Sequence, residues 1–200
     1  STLSHYMGDR EVRVESWRQR LDHPAWSARP NAGHIALAEL ERKGRLQCLV
    51  TQNIDGLHLD AASSRTSTIE IHGTMREVVC MNCGERAPMH RALERVRSGE
   101  EDPPCSACGG ILKSATISFG QRLVAGDLER AQAAAAACDV FLAVGTSLGV
   151  YPVAALPAIA LQSGARLVII NGEPTPFDEQ ADAVFRAPIA EVLPALVDLV

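Results

Sequence analysis

Apolar positions along the chain fall into two rhythms. Short apolar runs lie at 47–51 (Gln-Cys-Leu-Val-Thr), 68–71, 140–144 (Val-Phe-Leu-Ala-Val) and 167–170 (Leu-Val-Ile-Ile), bounded by polar or glycine residues. Runs this short predict strands, and those apolar throughout, at 140–144 and 167–170, predict burial on both faces. Longer segments with helix punctuation separate them. Pro30-Asn31 opens one that runs to about Lys43, with Ile35, Leu37 and Leu40 inside it and Gly44 after it. Others cover about 126–138, where Ala133 to Ala137 favour helix, then 152–163 and 189–200. A further helix is expected near 88–97, and 114–118 reads as extended. Strands alternating with helices predict an α/β fold, a parallel sheet with helices on both faces.

Composition narrows this picture. The chain has 200 residues, 46% hydrophobic and 22% charged, enough for one domain or one domain with a small module, and far from a disordered chain. A net charge of −5 argues against a broad nucleic-acid footprint. Residues 140–165 carry no formal charge, a length that could cross a bilayer. Gly145, Thr146, Ser147, Gly149, Pro152 and Pro157 interrupt them, so a strand, a glycine-bearing loop and a buried helix are expected, and no membrane partner. Asp9, Arg10, Glu11 and Arg13 stand where the apolar core of a secretory leader would lie.

Four of the six cysteines form two C-x-x-C pairs, Cys80/Cys83 and Cys105/Cys108. That spacing is of the zinc-ribbon type. Four thiolates close a tetrahedral shell, so one zinc ion held here is structural and does no chemistry. Disulfides or a redox pair are the competing readings, and no secretory leader supports the first. Cys48, in an apolar run, and Cys138, at the end of an Ala-rich helix, are expected to be inert. A reduced zinc–thiolate site points to the cytoplasm.

Polar residues gather where strands end. Gly145-Thr146-Ser147 follows the strand at 140–144, and Asn171-Gly172-Glu173 follows the strand at 167–170. Open α/β sheets bind ligands at those carboxyl ends, with glycine allowing close approach and polar groups taking ribose and phosphate. An ordinary strand-to-helix loop explains the same residues. Thr51-Gln52-Asn53-Ile54-Asp55-Gly56-Leu57-His58 follows another buried strand. A helix cap would explain Asp55 and leave Gln52 and Asn53 without a reason. In Ile69-Glu70-Ile71-His72-Gly73, alternation puts the isoleucines on one side and Glu70 and His72 on the other. His72 can then stand in a cleft as a base, or serve as a structural histidine.

Taken in order, residues 51–58, the segment with His72, the four cysteines, Phe119-Gly120, Gly145-Thr146-Ser147 and Asn171-Gly172 resemble the sirtuins, the NAD-dependent protein lysine deacylases. The resemblance covers nearly the whole chain. It implies a Rossmann-like NAD-binding domain of residues 1–77 and 113–200, with a zinc module inserted at 78–112 and NAD bound in the cleft between them. Gly145, Thr146, Ser147, Asn171, Gly172 and Glu173 would hold the adenosine ribose and phosphates. Gln52, Asn53, Ile54 and Asp55 would line the ribose–nicotinamide pocket. Phe119, Gly120, Leu148, Gly149, Val150 and Tyr151 would clamp an acetyl-lysine peptide as an added strand. In the family chemistry the acetyl oxygen attacks the nicotinamide ribose and nicotinamide leaves. Asn53 and His72 would be catalytic, His72 as the base that activates a ribose hydroxyl. The products would be lysine, nicotinamide and O-acetyl-ADP-ribose.

The sequence departs from the family in three places. The family's Gly-Ala-Gly segment and the Arg-bearing cofactor loop after it are not found, and the match begins at about Ser1-Thr2. A chain lacking both is expected to fold poorly and to show little activity. It would then act at most as a non-catalytic NAD or ADP-ribose binder. Gln121 stands where many relatives carry Glu, and no Tyr-x-x-Arg of the succinyl-preferring type occurs, which favours acetyl or another neutral acyl group. Protein mono-ADP-ribosyl transfer is the alternative activity for the same residues.

Overall fold

The computed structural model describes residues 2–200; Ser1, where the first expected domain begins, lies outside the described residues. Contacts divide the chain into two units. One holds residues up to Ala28 with Thr51–Gly56 and Glu70–Leu123; the other holds Arg29–Val50, Leu57–Ile69 and Val124–Val200. Two of the boundaries, at 50/51 and 69/70, fall inside short strands, β1 (Leu49–Thr51) and β2 (Thr68–Glu70). These two strands form their own sheet. The Leu49 amide donates to Ser67 O and the Ile71 amide to Thr51 O, a progression that runs the same way on both strands and makes the pair parallel.

The second unit carries the α/β pattern. Its helices α3 (Ala32–Arg42), α4 (Leu57–Asp60), α6 (Ala125–Ala137), α7 (Leu156–Gln162) and α8 (Ile189–Val197) surround strands β6 (Val140–Val144), β7 (Arg166–Ile170) and β8 (Ala183–Phe185). The sheet is parallel, with Val140 opposite Arg166 through Val144 opposite Ile170, and Val168 opposite Ala183 through Ile170 opposite Phe185. Alternation along β7 sends its side chains to two cores. Leu167 and Ile169 pack with Ala143, Leu148 and, on α7, Leu161. Ile170 packs with Ala36 and Leu40 of α3 and Leu193 and Val197 of α8. Helices therefore cover both faces, as the apolar pattern requires. The uncharged stretch 140–165 resolves into β6, a loop, a 3-10 turn at Val153–Ala155 and α7. Among the described residues no helix is long and apolar enough to cross a membrane.

The first unit is built on an antiparallel sheet ordered β4-β3-β5, of β3 (Gly73–Cys80), β4 (Arg86–Pro88) and β5 (Leu112–Thr116). Helices α1 (Leu3–Gly8), α2 (Arg10–Leu21) and α5 (Met89–Arg97) complete it. Trp17 of α2 is fully buried among Val78, Met89, Ala92, Leu93 and Leu112. Thr2 and Asp9 cap α1 and α2, accepting from the amides of His5 and Glu11. Arg13 and Asp102 pair at 2.8 Å with little exposure.

Neither α1, α2, β3, β4 nor β8 follows from the apolar pattern. Helix α2 buries only Val14 and Trp17, too thin a stripe to read. In β3 the register shifts between Gly73 and Val78, and such an irregularity destroys the period of two that would reveal a strand. The expected strand through residue 71 ends at Glu70, because Ile71 and His72 form the turn into β3.

Gly73 makes this turn possible. Its φ is +74°, and a Cβ there would sit 2.1 Å from the backbone oxygen of Ala115. Gly73→Ala is expected to lower stability by at least about 2 kcal/mol, combining left-handed strain with a backbone clash. Chemical denaturation of the purified variant checks this.

Lys113 is an unusual resident of β5. It is buried, and its ammonium donates to the carbonyls of Ser114 and Thr116. Burial, helped by the Arg20 charge, pushes its pKa down to about 8, whereas burial pushes the Tyr6 phenol up to about 12. From pH 8 towards 10 the unfolded chain holds a proton that folded Lys113 releases, so this residue makes stability rise with pH. Above pH 10 unfolded Tyr6 ionises before the folded form does, and its contribution falls. Lys113→Met is expected to flatten the rise between pH 8 and 10 in denaturation midpoints. An unchanged slope would contradict the assignment.

Candidate functional site

Two C-x-x-C knuckles come together in the first unit. Each is closed by the same bonds: the Gly84 amide donates to Cys80 O and the Gly109 amide to Cys105 O, while the Cys80 amide donates to Glu85 O and the Cys105 amide to Gly110 O. The four sulfurs lie within 4.8 Å of one another. Cys80 and Cys108 Sγ are 3.5 Å apart, and Cys83 and Cys105 Sγ 3.8 Å. A tetrahedron of Zn–S bonds near 2.3 Å has edges of about 3.8 Å. The amides of Asn82 and Gly110 each point at a sulfur, Cys80 Sγ and Cys108 Sγ, at 3.4 Å. Such donors suit thiolates. Gly110 has no room for a side chain, since a Cβ would lie 2.6 Å from Asn82 Cβ and 3.0 Å from Cys80 Sγ. The donor set and its spacing fit one closed, structural zinc ion.

In the same unit, loop 51–56 is held by the segment that follows β2. Four successive links do this. The Ile71 amide donates to Thr51 O at 3.0 Å and the Met75 amide to Ile54 O at 2.9 Å. His72 Nδ1 reaches Gln52 O at 3.1 Å, and Arg76 Nε donates to Asp55 O at 2.7 Å while its guanidinium lies over the Trp26 ring. The loop's carbonyls are thus turned inward and fixed. Asn53 and Ile54 remain exposed. Arg76 is an organising residue that the sequence reading missed. Its partner is a backbone carbonyl, which leaves no mark in a sequence.

The His72 contact decides its chemistry. A carbonyl oxygen can only accept, so Nδ1 carries the proton, and in the neutral ring Nε2 keeps a free lone pair. The backbone carbonyl of His72 is also taken, by the Ile117 amide at 2.8 Å. One bond thus fixes the His72 backbone and another its ring.

Phe119 and Gly120 lie just beyond β5, in a turn closed by the Gln121 amide on Ser118 O. Phe119 is 86% exposed.

The second unit holds the remaining candidates at the carboxyl ends of β6 and β7. Gly145, with φ +59°, donates its amide to Ile170 O as β6 ends. Thr146 Oγ1 accepts from the Leu148 amide. Ser147, Gly149, Val150 and Tyr151 are exposed, whereas Leu148 is buried. Asn171 Nδ2 donates to Glu173 O at 2.7 Å across the turn that contains Gly172. Arg186, also missed from the sequence, donates to Asn171 O at 2.7 Å and to Glu173 O at 3.1 Å.

The model of the Sir2 family matches residues 4–152. The chain is 53% identical to NAD-dependent protein deacetylase 2 of Streptomyces coelicolor over 98% of its own length and 81% of that protein. It is 42% identical to NAD-dependent protein deacetylase 1 of Bradyrhizobium diazoefficiens, over 94% of its length and 74% of the relative. Among solved structures it is similar to Sir2 bound to acetylated peptide, with TM-score 0.90 and 29% identity, over 99% of this chain and 82% of the other. A Sir2–p53 peptide–NAD+ structure gives TM-score 0.89 and 30% identity, over 99% and 81%.

Proposed function

Because the chain belongs to the Sir2 family, we propose that it is an NAD-dependent protein lysine deacetylase that transfers the acetyl group to ADP-ribose and releases nicotinamide. The observation that carries this reading is the His72 Nδ1 contact to Gln52 O, which leaves Nε2 as a base beside the Gln-Asn-Ile-Asp loop. NAD, consumed as a co-substrate, supplies an electrophilic ribose carbon once nicotinamide departs. His72 Nε2 then takes the proton of a ribose hydroxyl, as a positioned general base does.

The other residues serve binding. Gln52, Asn53, Ile54 and Asp55 face the nicotinamide ribose, and Asn53 is catalytic beside it. Gly145, Thr146, Ser147, Asn171, Gly172 and Glu173 take the adenosine portion through backbone amides and polar side chains. Phe119, Gly120, Leu148, Gly149, Val150 and Tyr151 take the acetylated peptide, with exposed Phe119 and Tyr151 as apolar contacts. Cys80, Cys83, Cys105 and Cys108 hold zinc, which stiffens segment 78–112. The acidic net charge supports a protein substrate over a nucleic acid. Reduced thiolates fit the cytoplasm.

Product masses test the reading. Incubation with NAD and an acetyl-lysine peptide is expected to give deacetylated peptide and O-acetyl-ADP-ribose, one nicotinamide per acetyl lost. A peptide that keeps its acetyl group and gains ADP-ribose would replace deacetylation with ADP-ribosyl transfer.

A further inference from the structure

The turn after β7 is held by more than a turn needs. Arg186 Nη1 donates to two carbonyls, Asn171 O and Glu173 O, and Nη2 pairs with Asp178. Asp178 also accepts from Thr175 Oγ1 at 2.8 Å. That hydroxyl, foremost, and Arg186 hold the Asp178 carboxyl below its usual range. The guanidinium charge is thus balanced within the turn and is not offered to a phosphate.

The clamp has a directional consequence. Carbonyl and amide of one peptide plane point opposite ways. Drawing Asn171 O onto Arg186 therefore turns the Gly172 N–H outward. No described group accepts from that amide, and nothing lies within 4 Å of where a Gly172 Cβ would be. Asn171 spends its Nδ2 on Glu173 O, so its Oδ1 remains an acceptor. The turn thus offers one donor and one acceptor on adjacent residues at the carboxyl end of a parallel strand. A ribose hydroxyl, which both donates and accepts, is their complement.

We infer that Arg186 is a positioning residue for the ADP-ribose portion of the ligand: it presets the Gly172 amide and Asn171 Oδ1 to receive a ribose hydroxyl without touching the ligand itself. The choice of ligand rests on the proposed deacetylase reading, while the clamp rests on the contacts alone.

The test is calorimetric binding of ADP-ribose to the wild type, Arg186→Gln and Arg186→Lys, with thermal midpoints and separate KM values for NAD and peptide. Arg186→Gln is expected to weaken ADP-ribose by about tenfold or more, because the Gly172 amide and Asn171 Oδ1 are then no longer preset for the ligand. KM for NAD rises with it, while KM for the peptide and kcat at saturating NAD stay unchanged and the midpoint falls only slightly, because the pair is part-exposed. Lysine, which can reach one carbonyl, restores part of the affinity. Wild-type affinity in Arg186→Gln, no ADP-ribose binding by the wild type, or a parallel loss of peptide affinity and thermal stability would each overturn the inference. Should Arg186→Gln not fold, Arg186→Lys alone still decides it through the split between the two KM values. A wild type that binds ADP-ribose with this Arg186 dependence but deacetylates nothing would remove the deacetylase reading and leave the clamp standing.

Discussion

Replacing His72 with asparagine is expected to lower deacetylation by about 10²–10⁴-fold, the usual worth of a positioned general base, with little change in fold. The choice of asparagine follows from the contacts. Its amide N–H can still donate to Gln52 O, as His72 Nδ1 does at 3.1 Å, but it offers no basic nitrogen in place of Nε2. Proton removal from the ribose hydroxyl follows nicotinamide departure, so exchange of labelled nicotinamide into NAD should survive better than acetyl loss. Deacetylation at the wild-type rate would show that His72 is structural. Equal loss of exchange and deacetylation, with an intact thermal midpoint, would move His72 to an earlier step.

Removing the metal is expected to unfold the first unit. A structural zinc supplies about 10–16 kcal/mol of apparent binding energy, against a stability of about 5–15 kcal/mol for a typical domain. The core of this unit is shared with the site: Cys80 and Cys105 are buried beside Trp17, Val78 and Leu112. Their sulfurs, 3.5–3.8 Å from their neighbours in the cluster, would repel as thiolates once the ion is gone. Purified protein should carry one zinc per chain. Strong chelator or Cys105→Ala should abolish activity and expose residues 70–123 to protease, and added zinc should restore the chelated protein. A fully active, zinc-free protein would contradict the assignment.

Legibility in the sequence follows physical locality. The cysteine site is legible in full because both knuckles are closed by bonds within six residues, as between Cys80 and Glu85. Strands β6 and β7 are legible because helices cover both faces, so every position but Arg166, at the exposed start of β7, is apolar. The long strand β3 is hidden by its irregular register, and α2 by its charged surface. His72 is legible as a candidate, yet its role depends on Gln52 O, a backbone atom twenty residues away. Arg76 and Arg186 act on carbonyls too, and a carbonyl is present at every residue, so no residue type could have flagged them.

The central claim is that acetyl removal consumes NAD. Mass spectrometry of an acetyl-lysine peptide incubated with the protein, with and without NAD, tests it most directly. The account requires acetyl loss only with NAD, matched by nicotinamide release. Acetyl loss without NAD, or NAD consumed while the acetyl group stays, would contradict it.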